Sequence, residues 1–162
     1  TISFTSGIDD TYDSYVFKGI NVHPASDDNF LLFNFSTDNG SNYNVIKTTT
    51  HIRVRHDEDD NDGSIGYQTN QDLAQSTSDS RFTFFGNDND QSSSFTLQLF
   101  NPSSTTFVKH FIADGTGVEE ADRCYQTLTA GYCNTTSAVN AIRFQMASGN
   151  IDSGVIKLYG VS

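Results

Sequence analysis

Hydrophobic and polar positions alternate with a period of two along most of this chain, the pattern of half-buried β-strands. From Tyr12 to His23, Tyr15, Phe17, Gly19 and Asn21 fall on one side and Val16, Lys18, Ile20 and Val22 on the other. Pro24 then removes a ladder donor and ends the strand. Phe30 to Thr37 is apolar on both faces at its start, Phe30-Leu-Leu-Phe33, as a central strand would be. Asn39-Gly40 favours a type I′ hairpin turn. Tyr43 to His56 continues the sheet beyond it, with Ile52 and Val54 facing away from Arg53 and Arg55. Ile65-Gly-Tyr67 follows the charged run Asp57 to Gly63, and further strands are expected at Arg81 to Phe85 and at Ser94 to Phe100, where Phe95, Leu97 and Leu99 oppose Thr96, Gln98 and Phe100. Thr106 to Ala113 reads as the hairpin partner of that last strand, and Cys124 to Ala130 leads up to the final pair of strands. Thr69 to Ser80 and Asp114 to Arg123 read as loops, with Asp72-Leu-Ala-Gln75 suited to one helical turn.

The most strongly patterned stretch runs from Asn134 to Val161. Ile142, Phe144 and Met146 share one face, and Arg143 and Gln145 take the other. After Ala147-Ser-Gly-Asn-Ile-Asp-Ser-Gly154, a linker rich in turn formers, Val155, Lys157 and Tyr159 alternate with Ile156, Leu158 and Gly160. This predicts an antiparallel hairpin. The sum is eight to ten strands spaced by roughly 10–15 residues. With 13 Phe and 7 Tyr to fill an inter-sheet core, the fold expected is all-β: one antiparallel β-sandwich domain over residues 1–162, jelly-roll-like. No 20–50-residue period recurs, which excludes a repeat protein.

Composition narrows the function. A net charge of −11, with nine Lys and Arg against twenty Asp and Glu, argues against nucleic acid and anionic membrane surfaces, which need clustered cations. No apolar run of 18 residues is present to span a membrane, and Thr1-Ile-Ser-Phe-Thr-Ser-Gly7 lacks the charge pattern of a signal peptide. The absence of Met at position 1 suggests a processed chain or a piece of a longer one.

Several phrases of this sequence resemble a recurrent type of virion structural protein of tailed phages, chiefly marine ones. They are Tyr12-Asp-Ser-Tyr-Val-Phe-Lys-Gly-Ile-Asn-Val-His-Pro24, Leu99-Phe-Asn-Pro-Ser-Ser-Thr-Thr-Phe-Val-Lys-His-Phe111, Asn134-Thr-Thr-Ser-Ala-Val-Asn-Ala-Ile-Arg-Phe144 and Ser148-Gly-Asn-Ile-Asp-Ser-Gly154. The resemblance spans nearly the whole chain. It implies a virion component and supplies no catalytic residues.

Candidate chemistry is sparse. Glu58, Asp60, Asp62 and Gly63 approximate positions 1, 3, 5 and 6 of a calcium loop, but position 1 is Glu and Thr69 stands where the closing Glu belongs. Asp88 and Asp90 form a second small acidic cluster. Cys124 and Cys133 are spaced to staple a local strand-turn-strand, provided their Cα atoms approach within about 7 Å; two reduced, packed thiols are the alternative. The four histidines do not pair at metal spacing, and no Gly-x-Ser-x-Gly elbow is present. A glycosidase needs a carboxylate of raised pKa, whereas the acids here sit in polar loops. The lack of Trp removes the usual sugar platform, leaving Tyr43, Tyr67, Tyr125 and Tyr132 as substitutes. Asn34-Phe-Ser36, Asn39-Gly-Ser41 and Asn134-Thr-Thr136 fit the N-glycosylation pattern.

The expectation is therefore a non-enzymatic phage virion protein on the particle surface, a capsid decoration or a fibre or knob component. It would act through contacts with other virion proteins and as a homo-oligomer, a trimer by analogy with virion symmetry. The alternative is a host-recognition module that binds cell-surface glycans through its loops.

Overall fold

The computed structural model describes residues 1–162. It has eleven strands and no helix: β1 (Ile2–Phe4), β2 (Ser14–Pro24), β3 (Asn29–Ser36), β4 (Lys47–Asp57), β5 (Gly63–Tyr67), β6 (Ser80–Phe85), β7 (Ser93–Phe100), β8 (Lys109–Glu119), β9 (Arg123–Cys133), β10 (Ala141–Met146) and β11 (Ile151–Val161). They form a four-stranded sheet, β1-β10-β3-β6, packed on a seven-stranded sheet, β11-β2-β7-β8-β9-β4-β5. Every pairing is antiparallel.

The connectivity is that of a jelly roll with two additions. With the additions set aside, eight strands divide as β1-β10-β3-β6 in one sheet and β2-β7-β4-β5 in the other, successive strands changing sheet except at the β4–β5 hairpin. That is the double Greek key of the jelly roll. The β8–β9 hairpin is inserted between β7 and β4, at the centre of the large sheet, and β11 extends that sheet past β2.

The core follows from the inward faces. Tyr15 and Phe17 of β2, Phe33 and Phe35 of β3, Phe82 and Phe85 of β6, Leu97 and Leu99 of β7, Phe111 of β8, and Ile142 and Phe144 of β10 are buried in one cluster. Burying each such side chain contributes about 1.5–3 kcal/mol. The rings meet edge-on or tilted, as in Phe33–Phe111 at 5.5 Å and 87° and Phe82–Phe95 at 4.8 Å and 62°, the arrangement the ring quadrupole favours.

Rings this large require gaps opposite them, and inward glycines supply these. A Cβ on Gly131 would stand 2.6 Å from the Phe111 ring, and one on Gly117 would stand 3.1 Å from Phe85 Cβ. Gly115 likewise lies against Phe82 and Phe95. This corrects the loop expected at Asp114 to Arg123: Asp114-Gly-Thr-Gly117 is the middle of β8, and its glycines are there for packing.

Four further expectations change. Asn39 and Gly40 do adopt positive φ, 58° and 84°, with Ser41 N–H donating to Asp38 O at 3.3 Å. Yet the turn closes no hairpin, because β3 and β4 belong to opposite sheets and the chain crosses between them over residues 37–46. For the same reason Asn134 to Val161 is not a hairpin. β10 pairs with β1 and β3 in the small sheet, and β11 pairs with β2 in the large one. In β2, Asn21 takes φ 48° at an irregularity in the register with β7, which turns Val22 from the expected outer face into full burial. Asp72 to Gln75 forms no helix.

Candidate functional site

The outer face of the seven-stranded sheet is the candidate. Its composition follows from strand period: with Phe111 and Ala113 inward on β8, Ile112 and Asp114 must point out. Register then assembles rows across the sheet. One reads Lys157, Lys18, Thr96, Asp114, Leu128, Ile52, Tyr67; a second holds Gln98, Ile112, Ala130 and Thr50; a third carries Thr116, Gln126, Val54 and Ile65. Ile112 is 54% exposed, Leu128 39%, Ile65 75% and Tyr67 49%. These four, with half-buried Ile52 and Val54, make a contiguous apolar area over the inserted hairpin and the β4–β5 edge. Val155, Tyr159 and Val161 on β11, together with Ile20, form a second exposed apolar strip at the other edge. Single exposed apolar residues are ordinary, but a contiguous patch on a sheet face marks a contact surface.

Two shallow grooves cross this face. One, of about 580 Å³, is lined by Lys18, Ile20, Thr96, Asp114, Thr116 and Gln126 among others, with Gln126 Nε2 donating to Asp114 Oδ1 at 3.2 Å. The other, of about 410 Å³, lies over Thr48, Thr50, His110, Ile112, Ala130 and Tyr132.

One end of the sandwich is an acidic pole. The β2–β3, β4–β5, β6–β7 and β8–β9 turns meet there, carrying half of the chain's 20 Asp and Glu residues. Asn87 N–H donates to Asp27 Oδ1 at 3.0 Å, Glu58 N–H to Asp122 O at 3.3 Å, and Gln91 Nε2 to Glu119 O at 3.0 Å. Repulsion from Asp27 and Asp28 above all raises the Glu120 carboxyl above its ordinary value. Sequence reasoning treated the acidic loops one by one; their convergence is a property of the topology.

The pole does not gather the expected calcium ligands. Asp62 pairs with Arg55 and Asp60 with His56, while Glu58 stands apart, and no group of three or more His, Cys, Asp or Glu side chains is placed to hold a metal ion. A two-residue-spaced hairpin turn fans its side chains outward, whereas calcium needs six or more oxygens converging. The disulfide is likewise corrected. Cys124 and Cys133 are free and lie near opposite ends of the single strand β9, about 30 Å apart at roughly 3.3 Å per residue, far beyond a bridge. Cys124 is exposed beside the larger groove, and burial pushes the Cys133 thiol up to about 12.

Of the tyrosines, Tyr125 is buried, Tyr43 lies under Arg143, and Tyr132 accepts from Gln75; Tyr67 is the open one, its O–H donating to Asp72 at 2.6 Å. Asn34 is fully buried with its carboxamide engaged, so it is no glycosylation acceptor in the folded chain.

No family model matches the chain, and no curated protein matches it. Among solved structures, a crystal structure at 2.40 Å of a protein of unknown function from Bacteroides ovatus matches with a TM-score of 0.35 at 8% identity. The match covers 65% of this chain and 46% of that one. A likeness at that level carries no argument about fold or function, so the reading rests on this chain's own residues.

Proposed function

We propose that the protein is a non-enzymatic component of a phage virion, standing on the particle surface as a decoration or fibre protein and acting through protein–protein contact. The observation that carries the contact role is the apolar area around Ile112, Leu128, Ile65 and Tyr67 on an otherwise strongly acidic molecule. The inserted β8–β9 hairpin widens the sheet at the place where that area lies. The virion assignment comes from the sequence resemblance given above. Free edges at β5 and β11 border the same face, and copies of the chain arranged about a symmetry axis would cover both edge and face. Three copies is the arrangement proposed, by analogy with virion architecture.

A second reading, recognition of host glycans, is favoured by the larger groove, where Lys18, Asp114, Thr96, Thr116 and Gln126 offer hydrogen-bonding groups suited to sugar hydroxyls. One pair of assays separates the two. Gold-labelled antibody on intact particles, viewed by electron microscopy, is expected to decorate a regular set of sites, and the purified protein to give no specific signal on a glycan array. Unlabelled particles would overturn the virion role. Retention by a defined glycan class would replace contact by recognition as the main activity.

A further inference from the structure

A buried polar cluster lies where the chain crosses from the four-stranded to the seven-stranded sheet. Lys47 at the start of β4 and Asn34 near the end of β3 are both 0% exposed. Lys47 Nζ donates to Asn34 Oδ1 at 2.6 Å and to Val45 O at 2.9 Å. The orientation of the Asn34 carboxamide is fixed by its partners: Oδ1 also accepts from Phe35 N–H at 2.9 Å, while Nδ2 donates to Asp79 Oδ1 at 2.8 Å, Tyr43 O at 2.9 Å and Thr77 O at 3.0 Å. Asp79 is held in turn by Arg143 Nη2 at 3.0 Å and Gln145 Nε2 at 2.7 Å. A buried amine and a buried carboxamide thus lie in one hydrogen-bonded line with a half-buried carboxylate at its end.

We propose that Lys47 and Asn34 form an intramolecular isopeptide bond, assisted by Asp79. The neutral amine adds to Asn34 Cγ, making the Nζ–Cγ bond and moving the carbonyl electron pair onto Oδ1, where the Phe35 N–H stabilises the charge. Asp79, already on Nδ2, takes one proton from Nζ and delivers it to Nδ2. The carbonyl re-forms, the Cγ–Nδ2 bond breaks with its electron pair on nitrogen, and ammonia leaves. One proton stays on Nζ, so amine plus primary amide become secondary amide plus ammonia, with no oxidant or cofactor. Burial lowers Lys47 to about 8, opposed by Cys133 and Asp79 in that order, so a usable share of the amine is neutral near physiological pH. Lys109 is an internal contrast. It too is buried, but its partners are the Phe107 and Thr135 carbonyls, and no carboxamide is within hydrogen-bond reach of its Nζ. The product would tie the two sheets together covalently at the crossover.

Intact-mass spectrometry tests this. The purified protein, held at pH 9 to complete the reaction, is expected about 17 Da below its sequence mass, the loss of one ammonia. Trypsin applied to the denatured chain should then fail to cut after Lys47 and yield Gly19–Arg53 as one peptide carrying the deficit. Lys47→Met should restore the full sequence mass, and Asp79→Asn should leave the chain unlinked. A wild-type chain at full mass, or one cut normally after Lys47, overturns the proposal whether or not the variants fold. So does a deficit that persists in Lys47→Met, which would come from succinimide formation at Asn39-Gly40. A full deficit in Asp79→Asn overturns the role of Asp79.

Discussion

Replacing Phe144 with Ala is expected to destabilise the fold by about 3–5 kcal/mol, the cost of emptying a large buried aromatic site. Phe144 is completely buried near the middle of β10, between β1 and β3. Its ring sits 6.3 Å from Phe4, 5.7 Å from Phe17 and 5.5 Å from Phe95, so it touches β1 in its own sheet and β2 and β7 in the opposite one. Neighbours drawn from both sheets cannot all move into the space it leaves, and the cavity persists. Against a total stability of about 5–15 kcal/mol, the melting temperature should fall by roughly 10 °C. A drop of only a few degrees would mean that Phe144 is not where the sheets meet.

The second large effect is acid lability from His51. This side chain is 1% exposed on the inner face of β4, with Nδ1 within 2.8 Å of Thr129 Oγ1 and Nε2 without a partner. Burial first, then Arg53 and Arg81, lower it from 6.5 to about 4. The folded state therefore resists protonation that the unfolded chain accepts. Stability from this group is complete above about pH 6.5 and is lost as pH falls towards 4, a change of about 3 kcal/mol. Glu120 acts in the opposite sense, since its raised carboxyl lets protonation relieve the acidic pole, but it is exposed and its effect is weak. Urea midpoints at pH 7 and pH 4.5 should show a clear loss in the wild-type protein, and His51→Gln, which keeps a polar group opposite Thr129, should flatten it. Equal slopes in the two proteins would contradict a neutral buried His51.

Much of the sandwich was legible in the sequence. Period-two alternation located β2, β3 and β7, and it put Phe95, Leu97 and Leu99 on the core face of β7 and Ile142, Phe144 and Met146 on that of β10. Pairing was not legible, because alternation states which face of a strand is buried and not which sheet it joins. That is why two strong neighbours, β10 and β11, were read as partners. Gly115 and Gly117 resemble loop residues until the Phe rings they accommodate are known, and Cys124 and Cys133 resemble a hairpin staple until Thr129 proves to lie mid-strand between them. The buried Lys47 gave no signal in isolation, since its partners Asn34 and Asp79 come from distant stretches. The contact face was not legible as one surface: Ile112 falls in a stretch read as a strand, but the placing of β8 and β9 side by side at the centre of the large sheet is a property of the topology.

The central claim is that the outer face of the large sheet exists to be covered by protein, first by further copies of the chain. Light scattering at micromolar concentration tests it most directly, comparing the wild-type protein with the double variant Ile112→Asp, Leu128→Asp, whose substitutions lie on exposed positions and leave the core intact. The account predicts about three times the single-chain mass of 17.8 kDa for the wild type, falling to one chain in the variant at an unchanged melting temperature. A wild-type mass of one chain, independent of concentration, would contradict it.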